Sequence, residues 1–194
     1  PEETVTRGMA AQLLYEAAGR PDVSQECPFS DVSGAYADAV TWAAAEGYLA
    51  GTGEGTYEPS RSVTRQEFAA ILWRQAGSPE AAVQGLDQYR DAGAVSDWAR
   101  TPVLWSLQAG VMAGRGADQL APDGTIPVAE ALVMLKQAVS LPDIGQLRAD
   151  LDILTASHRP IGSQGEADAV QYLKGRFEEM GYTVTLQPYP DSQG

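Results

Sequence analysis

Cysteine and histidine are almost missing from this chain of 194 residues, which has one of each, Cys27 and His158. A single cysteine excludes an internal disulfide and any cysteine-rich zinc site. A single histidine, with no second histidine beside it, cannot build a two-metal hydrolytic site. Ser163 has no base that would make it a nucleophile. We therefore expect no catalytic residue, no metal site and no other cofactor in these residues.

Positive charge and long apolar runs are scarce as well. The chain has 13 Lys and Arg against 26 Asp and Glu, which gives a formal net charge of -13. A field of this sign repels phosphate backbones, so we expect no nucleic-acid partner. No run reaches the roughly 18 apolar residues that a membrane helix needs, and no secretory signal opens the sequence. We therefore expect neither a membrane span nor an export signal of its own.

What the chain does contain is an internal repeat. The stretch "TVTRGMAAQLLYEAAG" from Thr4 returns as "SVTRQEFAAILWRQAG" from Ser62, and more weakly as "PDGTIPVAEALVMLKQAVS" from Pro122. A second block, with an aromatic-x-Asp opening at Phe29 and at Tyr89, precedes the two later copies. Residues of this block match at one constant offset: Trp42 with Trp105, Gly47 with Gly110, Gly51 with Gly114, and Tyr57 with Leu120. This register indicates tandem units of one structural element.

Each unit is predicted to be a helix, a glycine-containing loop and a second helix. Apolar residues of the first helix recur at three- and four-residue spacing, and Gly47 or Gly110 supplies the left-handed stop at its end. The second helix begins at Thr64, which forms a capping box with Glu67. One such unit cannot close a core by itself. We therefore expect a mainly α fold in which three units pack around an approximate threefold axis.

The repeat also sets the predicted domain boundaries. Residues 1–22 are the second half of a first unit, residues 28–78 are the second unit, and residues 88–140 are a degenerate third unit. In the third unit Pro127 and Val128 stand where the other copies have Thr and Arg. The incomplete first unit predicts an apolar surface on that unit that something else must cover, either a partner, which favours self-association, or the amphipathic helix of the tail.

The motifs "FSDV", Trp42, "TYEP" and "VTRQE" of the second unit resemble the S-layer homology module. The resemblance covers about residues 1–140. It implies a three-unit module, extracellular and on the surface of a Gram-positive bacterium, that docks onto secondary cell-wall polysaccharide. The grooves between neighbouring units are expected to hold the glycan, often a sugar that carries a pyruvate ketal.

Several residues suit the chemistry that this resemblance implies. Arg7 and Arg65 lie at helix N-termini, where an arginine fork and the helix dipole both favour the carboxylate of a pyruvate ketal. Trp98 offers an apolar face to a sugar ring, while Gly51 and Gly114 permit close approach to the backbone. Because the net charge opposes an acidic polymer, the site has to be a local basic pocket. The candidate glycan-binding residues are Arg7, Asp31, Gly51, Arg65, Trp98 and Gly114.

Purely structural roles remain open for the same residues. Thr64 and Glu67 can simply cap a helix, and Arg65 can simply pair with an acidic neighbour. Asp31 can fix the turn that starts its unit. Trp42 and Trp105, at helical spacing, are typical of a core. Since the third unit lacks the Thr-Arg pair, we expect glycan binding in only one or two of the three grooves.

The tail differs from the repeat. Residues 141–146 are predicted to be a linker, and residues 147–194 contain "HRPIGS" and "LKGRFEEMGY". This segment resembles the beginning of the di-zinc aminopeptidase family that includes bacterial leucyl aminopeptidases. Helices are predicted over 147–155 and 164–180, with a strand in "YTVTLQPY".

The metal ligands of that family lie on later strands. The resemblance therefore implies that this chain is not itself an enzyme and that its intact parent is a zinc-dependent aminopeptidase held at the cell wall. In the alternative interpretation the protein is a metallo-aminopeptidase, and the repeats only form a scaffold or mediate self-association.

Overall fold

A computed structural model describes residues 3–81, 85–116, 118–140 and 164–179. Its contacts divide the chain into two units, Pro1–Asp143 and Ile144–Gly194. The described residues are mainly helical, which confirms the predicted class. Short 3₁₀ turns precede the second and fourth α-helices, at Gly34–Tyr36, Ala92–Ala94 and Asp97–Ala99. The α-helices are α1 (Arg7–Ala17), α2 (Ala37–Ala45), α3 (Arg65–Gln75), α4 (Arg100–Gln108), α5 (Val128–Val139) and α6 (Gln164–Glu179).

The helix ends follow the predicted capping residues. The Thr64 hydroxyl accepts a hydrogen bond from the Glu67 amide at 3.3 Å, and the Glu67 carboxylate accepts one from the Thr64 amide at 2.9 Å, so the capping box is complete. Thr6 caps α1 through a single bond from the Met9 amide at 3.3 Å. Pro127 supplies no side-chain cap to α5. Local support at the start of the second helix is therefore strongest in the second copy, weaker in the first copy and weakest in the third.

The helices pack in pairs that cross the boundaries between copies. Helix α2 packs against α1, and α4 packs against α3, while α5 contacts both α1 and α3. Gly8 of α1 lies so close to the ring of Tyr36 that a Cβ atom there would be 2.6 Å from it. The first helix of each copy thus covers the second helix of the preceding copy, and the apolar faces between them form the core.

The segments that lead into α1, α3 and α5 meet in a closed cycle of three backbone hydrogen bonds. Val63 donates to the carbonyl of Val5 at 2.9 Å, Val5 donates to that of Ile126 at 2.9 Å, and Ile126 donates to that of Val63 at 3.3 Å. All three side chains are fully buried. Each copy therefore contributes one donor and one acceptor to the same buried junction, which satisfies backbone groups that could not be buried unpaired.

The apolar surface predicted on the first copy of the repeat lies on α1 and is covered by other copies. The buried face of α1 is covered by α2 and α5. The exposed large apolar side chains of helices α1 to α5 lie instead on α5, at Leu132, Val133 and Val139. The reason is the pairing across copies: α2 covers α1 and α4 covers α3, while none of the helices α1 to α4 covers α5 in the same way.

The unit Ile144–Gly194 contains α6, which agrees with the helix predicted over 164–180 as far as the described residues extend. Val170 and Leu173 of its apolar stripe are exposed. The predicted linker at 141–146, the helix at 147–155, the loop with His158 and the final strand lie outside the described residues. Across the part of the chain that is described, no helix is long and apolar enough to cross a membrane.

Candidate functional site

Arg7 is the first residue of α1 and reaches into the loop of the next copy. Its Nε donates to the carbonyl of Tyr57 at 2.6 Å, and its Nη2 donates to that of Ala50 at 2.6 Å. The guanidinium carbon lies 4.4 Å from the centroid of the Tyr57 ring, within range of a cation–π interaction. Burial lowers the pKa of Arg7. The side chain fastens the start of α1 to the loop that follows α2.

Arg65, the first residue of α3, repeats this arrangement one copy later. Its Nε donates to the carbonyl of Leu120 at 2.8 Å, and its Nη2 donates to that of Ala113 at 2.6 Å. The side chain is only 1% exposed, and burial, aided by the charge of Arg115, lowers the pKa of Arg65 to about 10. The guanidinium therefore stays charged at neutral pH. Both predicted arginines lie at seams between copies, where their first task is structural.

Asp31 fixes the turn at the start of its copy. Its carboxylate accepts hydrogen bonds from the amides of Tyr57 at 2.8 Å and Glu58 at 2.7 Å, and these bonds hold its pKa below the usual value. Asp91 does the same in the next copy, with amides at 2.8 and 2.7 Å. The structural alternative for Asp31 thus has a direct geometric basis. A glycan contact by Asp31 stays a prediction.

The two predicted glycines are required inside their own loops. A Cβ atom on Gly51 would lie 2.7 Å from the Phe29 ring and 2.7 Å from the carbonyl oxygen of Thr56. A Cβ atom on Gly114 would lie 3.0 Å from the carbonyl oxygen of Gln119. Both positions exclude a side chain because the loop folds tightly against itself. Close approach of a ligand to these amides stays a prediction.

Two tryptophans belong to the core, as one of the open interpretations holds. Trp105 is buried in α4. Trp42 is partly buried and packs against aromatic rings, 5.7 Å from that of Tyr15 and 5.5 Å from that of Tyr48. Trp98 differs, since it is 55% exposed on the short turn before α4. Among the four tryptophans of the repeat, Trp98 is the one whose side chain is mostly exposed.

Three predicted residues, one from each of the three copies, line a single groove at the seam where Arg7 meets the second copy. This first groove, of about 190 Å³, has Arg7, Gly51 and Trp98 in its wall. Its other charged lining residues are Arg61, Glu67 and Arg74. Arg65 and Gly114 line the equivalent groove one copy later, the second groove, together with Arg115, Glu130 and Gln137.

The first groove keeps a net positive charge, because its one carboxylate, that of Glu67, is already hydrogen-bonded within the protein. Glu67 accepts hydrogen bonds from Arg61 at 2.7 and 3.2 Å and from the Thr64 amide at 2.9 Å. Burial raises the pKa of Glu67, but these bonds outweigh it and the net shift is downward. Arg7 and Arg74 complete the lining charges. The local basic pocket that the net charge of the chain demands is therefore present here.

The second groove is organised differently. Glu130 forms an ion pair with Nη1 of Arg65 and accepts a hydrogen bond from Nη2 of Arg115 at 3.0 Å. Every nitrogen of the Arg65 guanidinium group therefore has a partner within the protein. The pairing of Arg65 with an acidic neighbour, the structural alternative for this residue, is realised in this groove.

Arg61, Arg74 and Arg115 were missed by reasoning from the repeat. Each has an uncharged residue at the matching position of the other complete copy: Gly124 for Arg61, Gln137 for Arg74 and Thr52 for Arg115. A search for what the copies share passes over such positions. The one available signal was the pair Glu67 and Glu130, which does match. In the described part of the chain no three His, Cys, Asp or Glu side chains are grouped so as to hold a metal.

Comparison with known proteins identifies the repeat. The family model described as "S-layer homology domain" matches residues 28–69 and 88–127. The matched segments do not extend into the tail, so the resemblance to an aminopeptidase stays a prediction. They also leave out the first half-unit, which shares the Arg7 arrangement with Arg65.

Three curated relatives match most of the chain. The amylopullulanase of Thermoanaerobacterium thermosulfurigenes is 30% identical over 70% of this chain and 8% of its own length. The exoglucanase XynX of Acetivibrio thermocellus is 28% identical over 70% of this chain and 13% of its own length. The cellulosome-anchoring protein of the same species is 24% identical over 72% of this chain and 33% of its own length. The chain thus spans a third or less of these relatives.

Proposed function

We propose that this chain, whose residues 28–69 and 88–127 match the S-layer homology domain, is a cell-surface anchoring module that binds an acidic sugar of wall polysaccharide in the first groove. The observation that carries this proposal is the Arg7 guanidinium group. Its Nε and Nη2 are engaged, but the described residues provide no hydrogen-bond partner for Nη1. Arg7 lines the first groove, so a charged donor is held rigidly there.

The chemistry suits a carboxylate on a sugar. The ketal carboxylate of a pyruvylated residue would take the free Nη1 of Arg7 in a charge-assisted hydrogen bond. Arg74 adds a second positive charge, and Trp98 on the rim supplies an apolar surface for the ring. The groove, at about 190 Å³, is smaller than the roughly 300–1,000 Å³ of pockets that enclose drug-sized ligands. It therefore fits one sugar residue of a polymer.

The test is retention on purified pyruvylated wall polysaccharide. The variants Trp98→Ala and Arg74→Ala remove a lining side chain without removing Arg7 from its seam. Arg100→Ala is the matched control, because Arg100 is exposed on α4 and does not line the first groove. We expect both groove variants to be retained less than wild type, and the control to be unchanged. Equal retention of all four proteins, or no retention of wild type, would overturn the proposal.

The placement of the groove depends on how the copies are arranged, and we propose an approximate threefold axis. The cycle of hydrogen bonds among Val5, Val63 and Ile126 supports it, because each copy gives one donor and one acceptor to its neighbours. The repeated contacts of Arg7 and Arg65 support it as well. A measured structure in which the three segments did not meet would contradict this arrangement.

A second candidate function is self-association of two copies of the chain through α5. It is favoured by the exposed Leu132, Val133 and Val139 on that helix. Leu132 matches Ala69 of α3, which is fully buried. Light scattering at several concentrations tests it: mass should rise with concentration for wild type and stay monomeric for Leu132→Glu. Ala129→Glu, at an exposed position of the same helix, is the control, and a constant wild-type mass would exclude the candidate.

We also propose that the parent of this chain is a zinc-dependent aminopeptidase and that the chain itself has no enzymatic activity. The helix found at Gln164–Glu179 agrees with the pattern on which the resemblance rests. Zinc content and hydrolysis of an amino-acid anilide by this chain provide the test. We expect neither zinc nor hydrolysis, and activity with the isolated chain would favour the alternative in which the repeats only form a scaffold.

A further inference from the structure

We propose that Glu130 closes the second groove by occupying the place of an acidic ligand on Arg65, so that this chain has one open groove of the two. This inference rests on the proposed function and says which of two related grooves an acidic sugar can enter. The first groove has Arg7 and Glu67 where the second has Arg65 and Glu130. Both carboxylates lie in the first turn of their helices. The first groove also has Arg74 and Trp98, whereas the second has Gln137 at the position of Arg74 and no tryptophan among the described residues of its lining. For the seam arginine, the difference that matters is what each carboxylate contacts.

In the first groove Glu67 is held away from the seam arginine. Arg61 binds both of its oxygens, at 2.7 and 3.2 Å, and the Thr64 amide binds one of them at 2.9 Å. These donors come from the segment just before α3. The carboxylate is thereby committed to the helix cap, and Arg7 keeps a guanidinium nitrogen without a partner among the described residues.

In the second groove both of these restraints have been lost through sequence changes. Gly124 stands at the position of Arg61, and Pro127, which has no amide hydrogen, stands at the position of Thr64. Glu130 is therefore not bound into a cap and pairs with Arg65 and Arg115. Arg115 is itself a change, since Thr52 stands at its position in the preceding copy. Three substitutions together turn a capping carboxylate into a ligand of the seam arginine.

The consequence is discrimination against an acidic ligand. A sugar carboxylate entering the second groove would have to displace Glu130 from a buried guanidinium and then lie beside it as a like charge. A sugar carboxylate entering the first groove would not have to displace Glu67, because Glu67 is bound by Arg61 and the Thr64 amide and not by Arg7. A built-in repulsive group of this kind sets specificity as effectively as an added attraction.

The test counts binding sites by titration calorimetry. The probe is the methyl glycoside of a hexose with a 4,6-pyruvate ketal, and its methyl ester is the uncharged control. We expect one site in wild type and two in Glu130→Gln, which keeps the shape of the side chain and removes its charge. Glu67→Gln is the matched variant in the first groove and should leave the number at one. Circular dichroism shows that each variant is folded.

The outcomes separate this inference from the proposed function. One site in both wild type and Glu130→Gln overturns the closing role of Glu130 and leaves the first groove as the binding site. Two sites in wild type overturn it as well. No site in wild type but one in Glu130→Gln supports the role of Glu130 and contradicts binding in the first groove. No site in either protein overturns both. In Glu130→Gln, adding Trp98→Ala should weaken one of the two sites, since Trp98 lines the first groove only.

Discussion

The seams at α1 and α3 are fastened by an arginine, whereas α5 begins without one. Arg7 and Arg65 each reach two carbonyls of the following loop. Val128 stands at the matching position of α5, and its amide donates to the carbonyl of Glu3 at 3.0 Å. Among the described residues the polar contacts of the third seam are thus backbone hydrogen bonds, supported by buried apolar side chains such as Val5 and Ile126. The difference shows that the arginine of the Thr-Arg pair primarily stabilises the contact between copies. A ligand can therefore bind only to guanidinium nitrogens that these structural hydrogen bonds do not use.

The largest expected effect is on the free energy of unfolding, and it should differ between the seam at Arg65 and the seam at Arg7. Arg65→Ala removes a buried, fully engaged guanidinium, leaves two carbonyls unpaired and leaves Glu130 with Arg115 as its one partner among the described residues, so we expect a loss of about 3–5 kcal/mol in the free energy of unfolding. Arg7→Ala leaves no buried carboxylate behind and should cost less, about 1–3 kcal/mol. Urea unfolding followed by circular dichroism measures both. Equal losses would show that the ion pair with Glu130 adds nothing to the second seam.

The next largest effect is expected in the two loops whose carbonyls bind Arg7 and Arg65. Replacing the glycine in each loop should destabilise the protein to a different extent. Gly51→Ala places a methyl group 2.7 Å from both the Phe29 ring and a backbone oxygen, so we expect a loss of about 1–3 kcal/mol from overpacking. Gly114→Ala meets a backbone oxygen at 3.0 Å and should cost less. Gly93→Ala is the control, because a Cβ atom there has open space. A larger loss for Gly114→Ala than for Gly51→Ala would contradict the packing described for these loops.

Most of the fold could be predicted because the repeat is written in local signals. The capping residues of α3 and the glycine stops after α2 and α4 are visible in the sequence, and the structure places each where it was expected. The pairing of helices was not predictable in this way. It depends on which helix covers which, and Tyr36 meets Gly8 across a boundary that the repeat alone does not draw. For that reason the helices that cover the apolar face of α1 could not be identified from the repeat.

The site was predictable only in part for a related physical reason. Arg7, Gly51 and Trp98 were expected to bind glycan, and they do share one groove. Asp31, by contrast, bonds backbone amides of a turn. The state of Arg65 depends on Glu130, whose direction follows from Gly124, Pro127 and Arg115 together. Contacts such as that between Glu130 and Arg65 depend on which side chains are absent at other positions of the copy. A sequence motif lists the residues that are present, so it does not predict such contacts.

A smaller effect compares the helix caps. Thr64→Ala removes one half of a capping box and should cost about 1 kcal/mol, near the middle of the range for such caps. Thr6→Ala removes a single bond of 3.3 Å at α1, where Met9 returns nothing to the cap, and should cost about 0.5 kcal/mol. Thermal unfolding resolves the two, since about 1 kcal/mol shifts the midpoint of a chain of this size by roughly 2–4 °C. Reversed values would show that the Arg61 contact with Glu67 holds the cap without Thr64.

The smallest effect on stability is expected for Trp98→Ala. This variant distinguishes a residue that binds ligand from one that stabilises the contact between copies. Trp98 is exposed and supports no seam, so Trp98→Ala should change the free energy of unfolding by less than about 0.5 kcal/mol. If Trp98 stacks on a sugar, the same variant should weaken glycan binding by about 0.5–1.5 kcal/mol. Arg65→Ala should show the opposite pattern, with a large loss of stability. A destabilised Trp98→Ala with unchanged glycan retention would reassign this residue from the groove to the core.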